Sequence, residues 1–148
     1  MAKRAYLFFL LFRYLEKLCQ ELNVSDRVTF LGRISDLEVK EAYRSAKLCL
    51  LATEKEGWGF VAMEAQAYGC PVIAFDVPGI RDSVINGKTG TLINYGNKDS
   101  LRSELRKISL DPTLLKYLSS EAISRAKMYD WESCYGDFLF ELTIVEKE

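Results

Sequence analysis

Short apolar runs alternate with amphipathic segments along this chain, and this alternation constrains the fold more than any other feature. Residues 48–51 and 71–75 are apolar at successive positions, and residues 28–31 and 90–93 are two further strand candidates. Strands that are apolar on both faces are typical of a parallel sheet covered by helices on both sides. The sequence therefore predicts a doubly wound α/β domain with a mostly parallel sheet of four to five strands.

Helix-capping signals separate these runs. Ser35 and Glu38 have the spacing of a capping box, Asn97 precedes an amphipathic segment, and Asp111 stands before Pro112. Gly69 follows a segment of about ten residues as a C-terminal glycine would. We also expect a short helix over residues 79–86 and a last helix over residues 131–145.

Composition narrows the possible functions. The chain has 148 residues, a net charge of −1 and no histidine, which suits one domain spanning residues 1–148. A near-neutral chain is not expected to bind nucleic acid, and without histidine it has no His base or His metal ligand. The four cysteines lack metal-ligand spacing and are expected to be reduced thiols in a cytoplasmic protein.

The apolar run at residues 5–12 follows Lys3 and Arg4. No small-residue cleavage site follows it, and it is shorter than the ~20 residues of a membrane span. We expect a buried strand or the start of a buried helix. The alternative is a peripheral anchor at a membrane surface.

The segment from Glu56 to Glu64 carries the most chemical information. Gly57 and Gly59 bracket Trp58 after a strand and before a helix, so backbone amides and the helix N-terminus can approach a phosphate or a hydroxyl. Ionised carboxylates accept hydrogen bonds from hydroxyl-rich ligands such as sugars and ribose. The alternative is a tight turn flanked by solvated charges.

Residues 56–64 resemble the Glu-x7-Glu motif of retaining nucleotide-sugar glycosyltransferases of family four, the group 1 glycosyl transferases, which have the two-Rossmann-domain GT-B fold. The resemblance extends over residues 15–139. Other matching positions are residues 28–32, Tyr43, Ala46, Ala65, Ala67, Gly69, residues 71–74, Gly79, Gly87, Gly90 and Trp131.

The resemblance implies a role for each matching residue. Glu56 would bind hydroxyls of the donor sugar and is the candidate catalytic residue, whereas Glu64 would bind the ribose. The amides of Gly57, Trp58, Gly59 and Phe60 would contact the sugar and the diphosphate. Arg33 and Ile34 would lie against the base. The donor would be a nucleotide-diphospho-sugar, with no metal or other cofactor.

The chain also departs from the family pattern. Trp58 replaces a usual Phe, Ala52 and Thr53 replace Pro-Ser, and Pro78 replaces a Gly and removes an amide donor. The family's diphosphate-binding Arg, with a Lys five residues later, has no match. Lys40 follows Arg33 by seven residues and lies inside a capped helix, so we expect it to be a solvated charge.

The N-terminal acceptor domain of the family also has no match. We therefore expect this chain to be the donor-binding half of such an enzyme. Alone it should be inactive or very weakly active, and it would work with an N-terminal domain or a second copy of itself. The resemblance implies cell-surface polysaccharide or glycan biosynthesis in the cytoplasm or at the inner face of the membrane. Two alternatives are a truncated, non-catalytic nucleotide- or partner-binding module and a GT-B sugar epimerase.

In the family, the donor-binding domain begins with a strand–helix–strand unit that has no match in this sequence. The missing unit would lie centrally in the family's sheet, between residues 28–31 and 48–51. Its absence would leave unpaired sheet edges. We therefore expect either that residues 6–12 pair into the sheet or that the chain self-associates.

Overall fold

A computed structural model describes the backbone of residues 2–129 and the side chains from residue 12 onward. The chain forms two compact units, one ending at Ser35 and the other beginning at Asp36. The predicted helix over residues 131–145 and its Trp131 lie outside the described residues.

The first unit consists of helix α1 (Ala2–Glu21), a 3-10 turn (Ser25–Arg27) and an irregular segment. Asn23, with a φ of 54°, ends α1, and the rings of Phe12 and Phe30 lie 4.8 Å apart. No helix in the described part of the chain is long and apolar enough to cross a membrane.

The first unit corrects two sequence expectations. Residues 6–12 lie within α1, so the prediction that they pair into the sheet is wrong and the helical alternative is confirmed. A continuous apolar run has no periodicity that separates a strand from a buried helix, and good helix formers follow this one. Residues 28–31 form no strand, so that strand prediction is also wrong. A strand needs neighbours to hydrogen-bond with, and local sequence does not supply them.

The second unit begins with helix α2 (Asp36–Ser45), immediately after Ser35, as the capping signal predicts. It continues with strand β1 (Cys49–Leu51), helix α3 (Phe60–Ala67) and strand β2 (Val72–Phe75). The one-turn helix α4 (Ile80–Ser83), strand β3 (Gly90–Ile93) and helices α5 (Lys98–Leu110) and α6 (Pro112–Ala126) follow.

The three strands form a parallel sheet in the order β1-β2-β3, with Cys49 opposite Val72 and Val72 opposite Gly90. The described residues therefore contain three strands rather than the four to five predicted. A Cβ atom at Gly90 would overlap the backbone of Val72, so the register of β3 requires glycine there.

Successive residues of β2 point to opposite faces of the sheet. Val72 and Ala74 belong to an apolar cluster with residues of α3 and α4, whereas Ile73 packs with Ile108 of α5 and Leu118 of α6. Because helices cover both faces, the predicted doubly wound α/β class is confirmed.

The two outer strands differ in how their backbone groups are occupied. At β3, Asn86 Oδ1 accepts a hydrogen bond from Leu92 N–H, and Gly87 N–H donates to Gly90 O. At β1, Cys49 N–H donates to Pro71 O, so the N–H and C=O of Leu50 face away from β2. The free edge of β1 has no strand neighbour among the described residues.

Local capping agrees with the sequence. Asn97 Oδ1 accepts from Ser100 N–H, and Asp111 Oδ1 accepts from Thr113 and Leu114 N–H. Gly69, with a φ of 74°, follows α3 and donates its N–H to Gln66 O. These contacts fix the helix boundaries around the sheet.

Candidate functional site

The turn between β1 and α3 is built from short local hydrogen bonds. Thr53 Oγ1 donates to Lys55 O at 2.8 Å, and Gly57 N–H donates to Glu56 Oε1 at 3.0 Å. Gly59 then takes a φ of 85° and a ψ of 43°, a left-handed conformation that glycine adopts without steric cost. Gly59 therefore shapes the entry into α3, in the turn that follows the carboxyl end of β1.

The loop that follows β2 lies directly against this turn. Gly79 has a φ of 85°, and a Cβ atom there would lie 2.6 Å from Gly57 O and closer still to Glu56 O. A Cβ atom at Gly59 would overlap Ser83 Oγ of α4. Two glycines thus let α4 and the Glu56–Gly59 turn, residues 56–59, approach at backbone distance.

The N-terminus of α3 has no side-chain cap, because its N-cap residue is Gly59. Gly59 O accepts from Ala62 and Met63 N–H, which leaves the amides of Phe60 and Val61 without an intrahelical acceptor. Such amides and the helix dipole give this end of α3 a partial positive charge. The arrangement suits an anionic or hydroxyl-bearing ligand.

Glu64 lies on an exposed position of α3 and borders a cavity of about 390 Å³ that is lined by both polar and apolar groups. The other lining residues are Asp36, Val39, Lys40, Tyr43 and Tyr68. Burial, with smaller contributions from Cys49 and Glu64, raises the pKa of Tyr43 to about 12, so its hydroxyl remains a donor at neutral pH. The cavity thus combines a carboxylate acceptor with ammonium and hydroxyl donors.

Glu64 also borders a second, mainly apolar cavity of about 530 Å³. It is lined by Trp58, Phe60, Met63, Ala67, Ala126 and Tyr129. The Trp58 ring lies 5.2 Å from Phe60 and 5.3 Å from Tyr129, so aromatic side chains of the turn continue onto the segment that follows α6.

The site residues predicted from the sequence fall into two groups, one in the second unit and one in the first. It brings Glu56, Gly57, Trp58, Gly59 and Phe60 together in one turn and places Glu64 one helical turn further along α3. Arg33 and Ile34 follow Gly32 in the first unit, Arg33 exposed and Ile34 half-buried. Their contact with a base stays a prediction.

Lys40, expected to be a solvated charge, is exposed, and it also lines the cavity that Glu64 borders. Sequence reasoning missed two residues whose side chains reach α4. Gln66 and Arg125 both hydrogen-bond to the C-terminus of α4. The helical spacing of Lys40 and Glu64 within their own elements gave no signal, because helix pairing across the fold is not a local property. No cluster of three or more potential metal-ligating side chains occurs in the described segment.

Comparison with known proteins shows the family to which this chain is similar. The family model described as glycosyl transferases group 1 matches residues 11–125. A D-inositol 3-phosphate glycosyltransferase of Streptomyces bingchenggensis is 38% identical over 118 residues, 80% of this chain and 26% of that relative. The chain thus spans about a quarter of the length of such curated relatives.

Solved structures of glycosyltransferase-type proteins have a similar fold. A sucrose-phosphate synthase (tll1590) from Thermosynechococcus elongatus matches with a TM-score of 0.78 and 32% identity, over 90% of this chain and 34% of that one. Anabaena Alr3699/HepE, solved in complex with UDP-glucose, matches with a TM-score of 0.77 and 23% identity, over 97% of this chain and 38% of that one. At that identity, the second likeness shows the fold alone.

Proposed function

Because the chain belongs to the group 1 glycosyl transferases, we propose that it is the donor-binding part of a retaining, nucleotide-sugar-dependent glycosyltransferase of GT-B fold. The observation that carries this proposal is the Glu56–Gly59 turn, which leads into an uncapped α3 while Gly79 presses against its backbone. Such a turn offers backbone amides to a diphosphate and carboxylates to hydroxyl groups.

In the proposed reaction, the bond between the anomeric carbon and a diphosphate oxygen breaks as the acceptor oxygen bonds to that carbon from the same face, and the proton of the acceptor hydroxyl passes to the leaving diphosphate. The leaving diphosphate gains negative charge, which the free amides of Phe60 and Val61 and the α3 dipole stabilise. Glu56 orients the sugar through its hydroxyls, and Glu64 binds the ribose from the wall of its cavity. A separate domain supplies the acceptor site, so we expect this chain alone to turn over very slowly or not at all.

The same proposal gives the protein a place in the cell. A family member of this kind would act in cell-surface polysaccharide or glycan biosynthesis, in the cytoplasm or at the inner face of the membrane.

We also propose that donor binding needs no metal, because the sequence of this chain contains no Asp-x-Asp motif. Titration with and without a chelator tests this point, since a metal-dependent site would lose affinity when the chelator is added.

Calorimetric titration with UDP and UDP-glucose, used as probes, tests donor binding. Glu64→Gln should weaken binding of both ligands by about 1–3 kcal/mol, because a charged acceptor for the ribose hydroxyls is lost. Glu56→Gln should reduce only the additional affinity that the sugar confers. Glu104→Gln, on α5 at the opposite face of the sheet, is the matched control and should bind like the wild type.

Other nucleoside diphosphates and their sugars extend the titration to other donor classes. Equal effects of Glu56→Gln and Glu64→Gln on UDP alone would contradict the assigned roles. Absence of binding to every nucleotide and nucleotide-sugar tested, together with capture of a partner protein, would instead identify a non-catalytic binding module.

A further inference from the structure

The one-turn helix α4 needs support from outside itself. Four residues make too few internal hydrogen bonds to form a stable helix, and the last carbonyls of α4 accept no hydrogen bond from within the helix. Ser83 O accepts from Gln66 Nε2 of α3 at 2.9 Å and from Arg125 Nε of α6 at 3.4 Å. Asp82 O accepts from Arg125 Nη2. Arg125 therefore holds the C-terminal end of α4 with two of its nitrogen atoms.

The same guanidinium reaches the aromatic residues beside the Glu56–Gly59 turn. Arg125 Nη2 lies 3.1 Å from the Tyr129 hydroxyl, and the guanidinium carbon lies 5.1 Å from the centre of that ring. The Tyr129 ring meets Trp58 edge-to-face at 5.3 Å. Trp58 stands between Gly57 and Gly59, so this second path also ends in the turn.

Both paths act on the backbone that carries Glu56. Along the first, Arg125 fixes α4, whose N-cap residue Gly79 lies against Glu56 O and Gly57 O. Along the second, Arg125 orients Tyr129, and Tyr129 limits the position of the Trp58 ring. Displacement of either would move the turn, because packed backbones at such short separations shift together.

We propose that Arg125 is a positioning residue for the donor-sugar subsite, because it holds α4 against the Glu56–Gly59 turn and, through Tyr129, the Trp58 side chain within that turn. The sugar part of this role rests on the proposed function. Arg125 touches no reacting atom; it sets the place of the backbone that does. A planar guanidinium suits this position, because its donors diverge in fixed directions toward two carbonyls while its face lies over a ring.

A ligand-free measurement tests the positioning itself. In the 1H–15N spectrum of the 148-residue chain, Arg125→Ala should shift the Trp58 indole and the Gly57 and Gly79 amide signals. Arg102→Ala, an exposed arginine on α5, is the control and should leave them in place. A purely structural role would lower the melting temperature without moving these signals in the remaining folded protein. Unmoved signals in Arg125→Ala would overturn the proposal.

Binding of UDP and UDP-glucose tests the consequence for the donor. Arg125→Ala should reduce the affinity for UDP-glucose by about fivefold more than the affinity for UDP, since the Glu56 turn contacts the sugar. Arg125→Lys, which keeps the charge and one donor, should recover part of the loss. It also serves as the test variant, in both experiments, if Arg125→Ala does not fold.

Equal losses for UDP and UDP-glucose in both variants would overturn the sugar-subsite role. A wild-type chain that binds neither ligand would contradict the proposed function, and with it the sugar subsite. The ligand-free spectra would still decide whether Arg125 positions the turn.

Discussion

Gly79 illustrates how one backbone position can shape the candidate site. Its φ of 85° and the nearby carbonyls of Glu56 and Gly57 leave no room for a side chain. Gly79→Ala should lower the free energy of unfolding by at least about 2 kcal/mol, because backbone strain and a steric clash combine. Urea denaturation measures this loss.

The control for Gly79 is Gly96, which has a φ of 78° but open space where a Cβ atom would lie. Gly96→Ala therefore carries the backbone strain without the clash. If both variants lost the same stability, the close approach of the two loops would contribute nothing.

The thiols of Cys49 and Cys70 give the protein a pH dependence. Burial raises the pKa of Cys49, and burial together with Cys49 raises the pKa of Cys70 from 9.0 to about 12. Above pH 9.0 the unfolded chain releases the Cys70 proton while the folded chain retains it, so this contribution to stability is complete below pH 9.0 and falls as the pH rises toward 12. The slope for Cys70 should reach about 1.4 kcal/mol per pH unit, and Cys49 contributes in the same direction.

Urea denaturation at a series of pH values between neutral and strongly alkaline measures this slope. Tyr43, with its pKa raised from 10.0 to about 12, adds to the decline in the upper part of the range. Cys70→Ala should flatten the profile, and an unchanged profile in that variant would contradict the assignment.

At the scale of elements, α6 depends on its N-cap. Asp111 Oδ1 accepts from Thr113 N–H at 3.0 Å and from Leu114 N–H at 2.9 Å, and Pro112 begins the helix. Asp111→Ala should cost about 1 kcal/mol of stability, measured by thermal denaturation. Asp99→Ala, in the first turn of α5, removes only a solvent-exposed ion pair and should cost a few tenths at most.

Elements with local signals were predictable from the sequence. The caps at Asn97 and Asp111, the glycine after α3 and the strands over residues 72–75 and 90–93 all follow from neighbouring residues. Residues 28–31 have the composition of a strand but form none, because pairing depends on distant parts of the chain. Residues 6–12 lacked a period that separates helix from strand.

Some residues of the candidate site were also predictable from the sequence, whereas others were not. The Glu56–Gly59 turn and Glu64 were identified from spacing and resemblance, since they lie within one strand–turn–helix segment. Gln66 and Arg125 reach Ser83 from 17 and 42 residues away in sequence. No local pattern marks such pairs, so only the folded arrangement of α3, α4 and α6 identifies them.

At the scale of the whole molecule, the open edge of β1 is the feature that matters. Leu50 is 45% exposed there, and its backbone N–H and C=O face away from β2. Because unpaired apolar edges associate, we expect the chain to self-associate in solution. Leu50→Lys should shift the equilibrium toward the monomer, because edge lysines oppose strand pairing.

Light scattering over a range of concentrations measures this equilibrium. Ile85→Lys, which replaces another partly exposed aliphatic residue away from β1, is the control and should leave the association unchanged. A wild-type chain that stays monomeric at its highest soluble concentration would contradict the expectation.

The hydrogen bonds of Asn86 and Gly87 at β3 determine how far such association can proceed. They occupy outward-facing backbone groups of β3, whereas those of Leu50 on β1 have no strand neighbour among the described residues. Head-to-tail stacking would need both edges of every copy, but a twofold-symmetric pair needs only one. Growth should therefore stop at a closed dimer, and the chain should not polymerise into fibres.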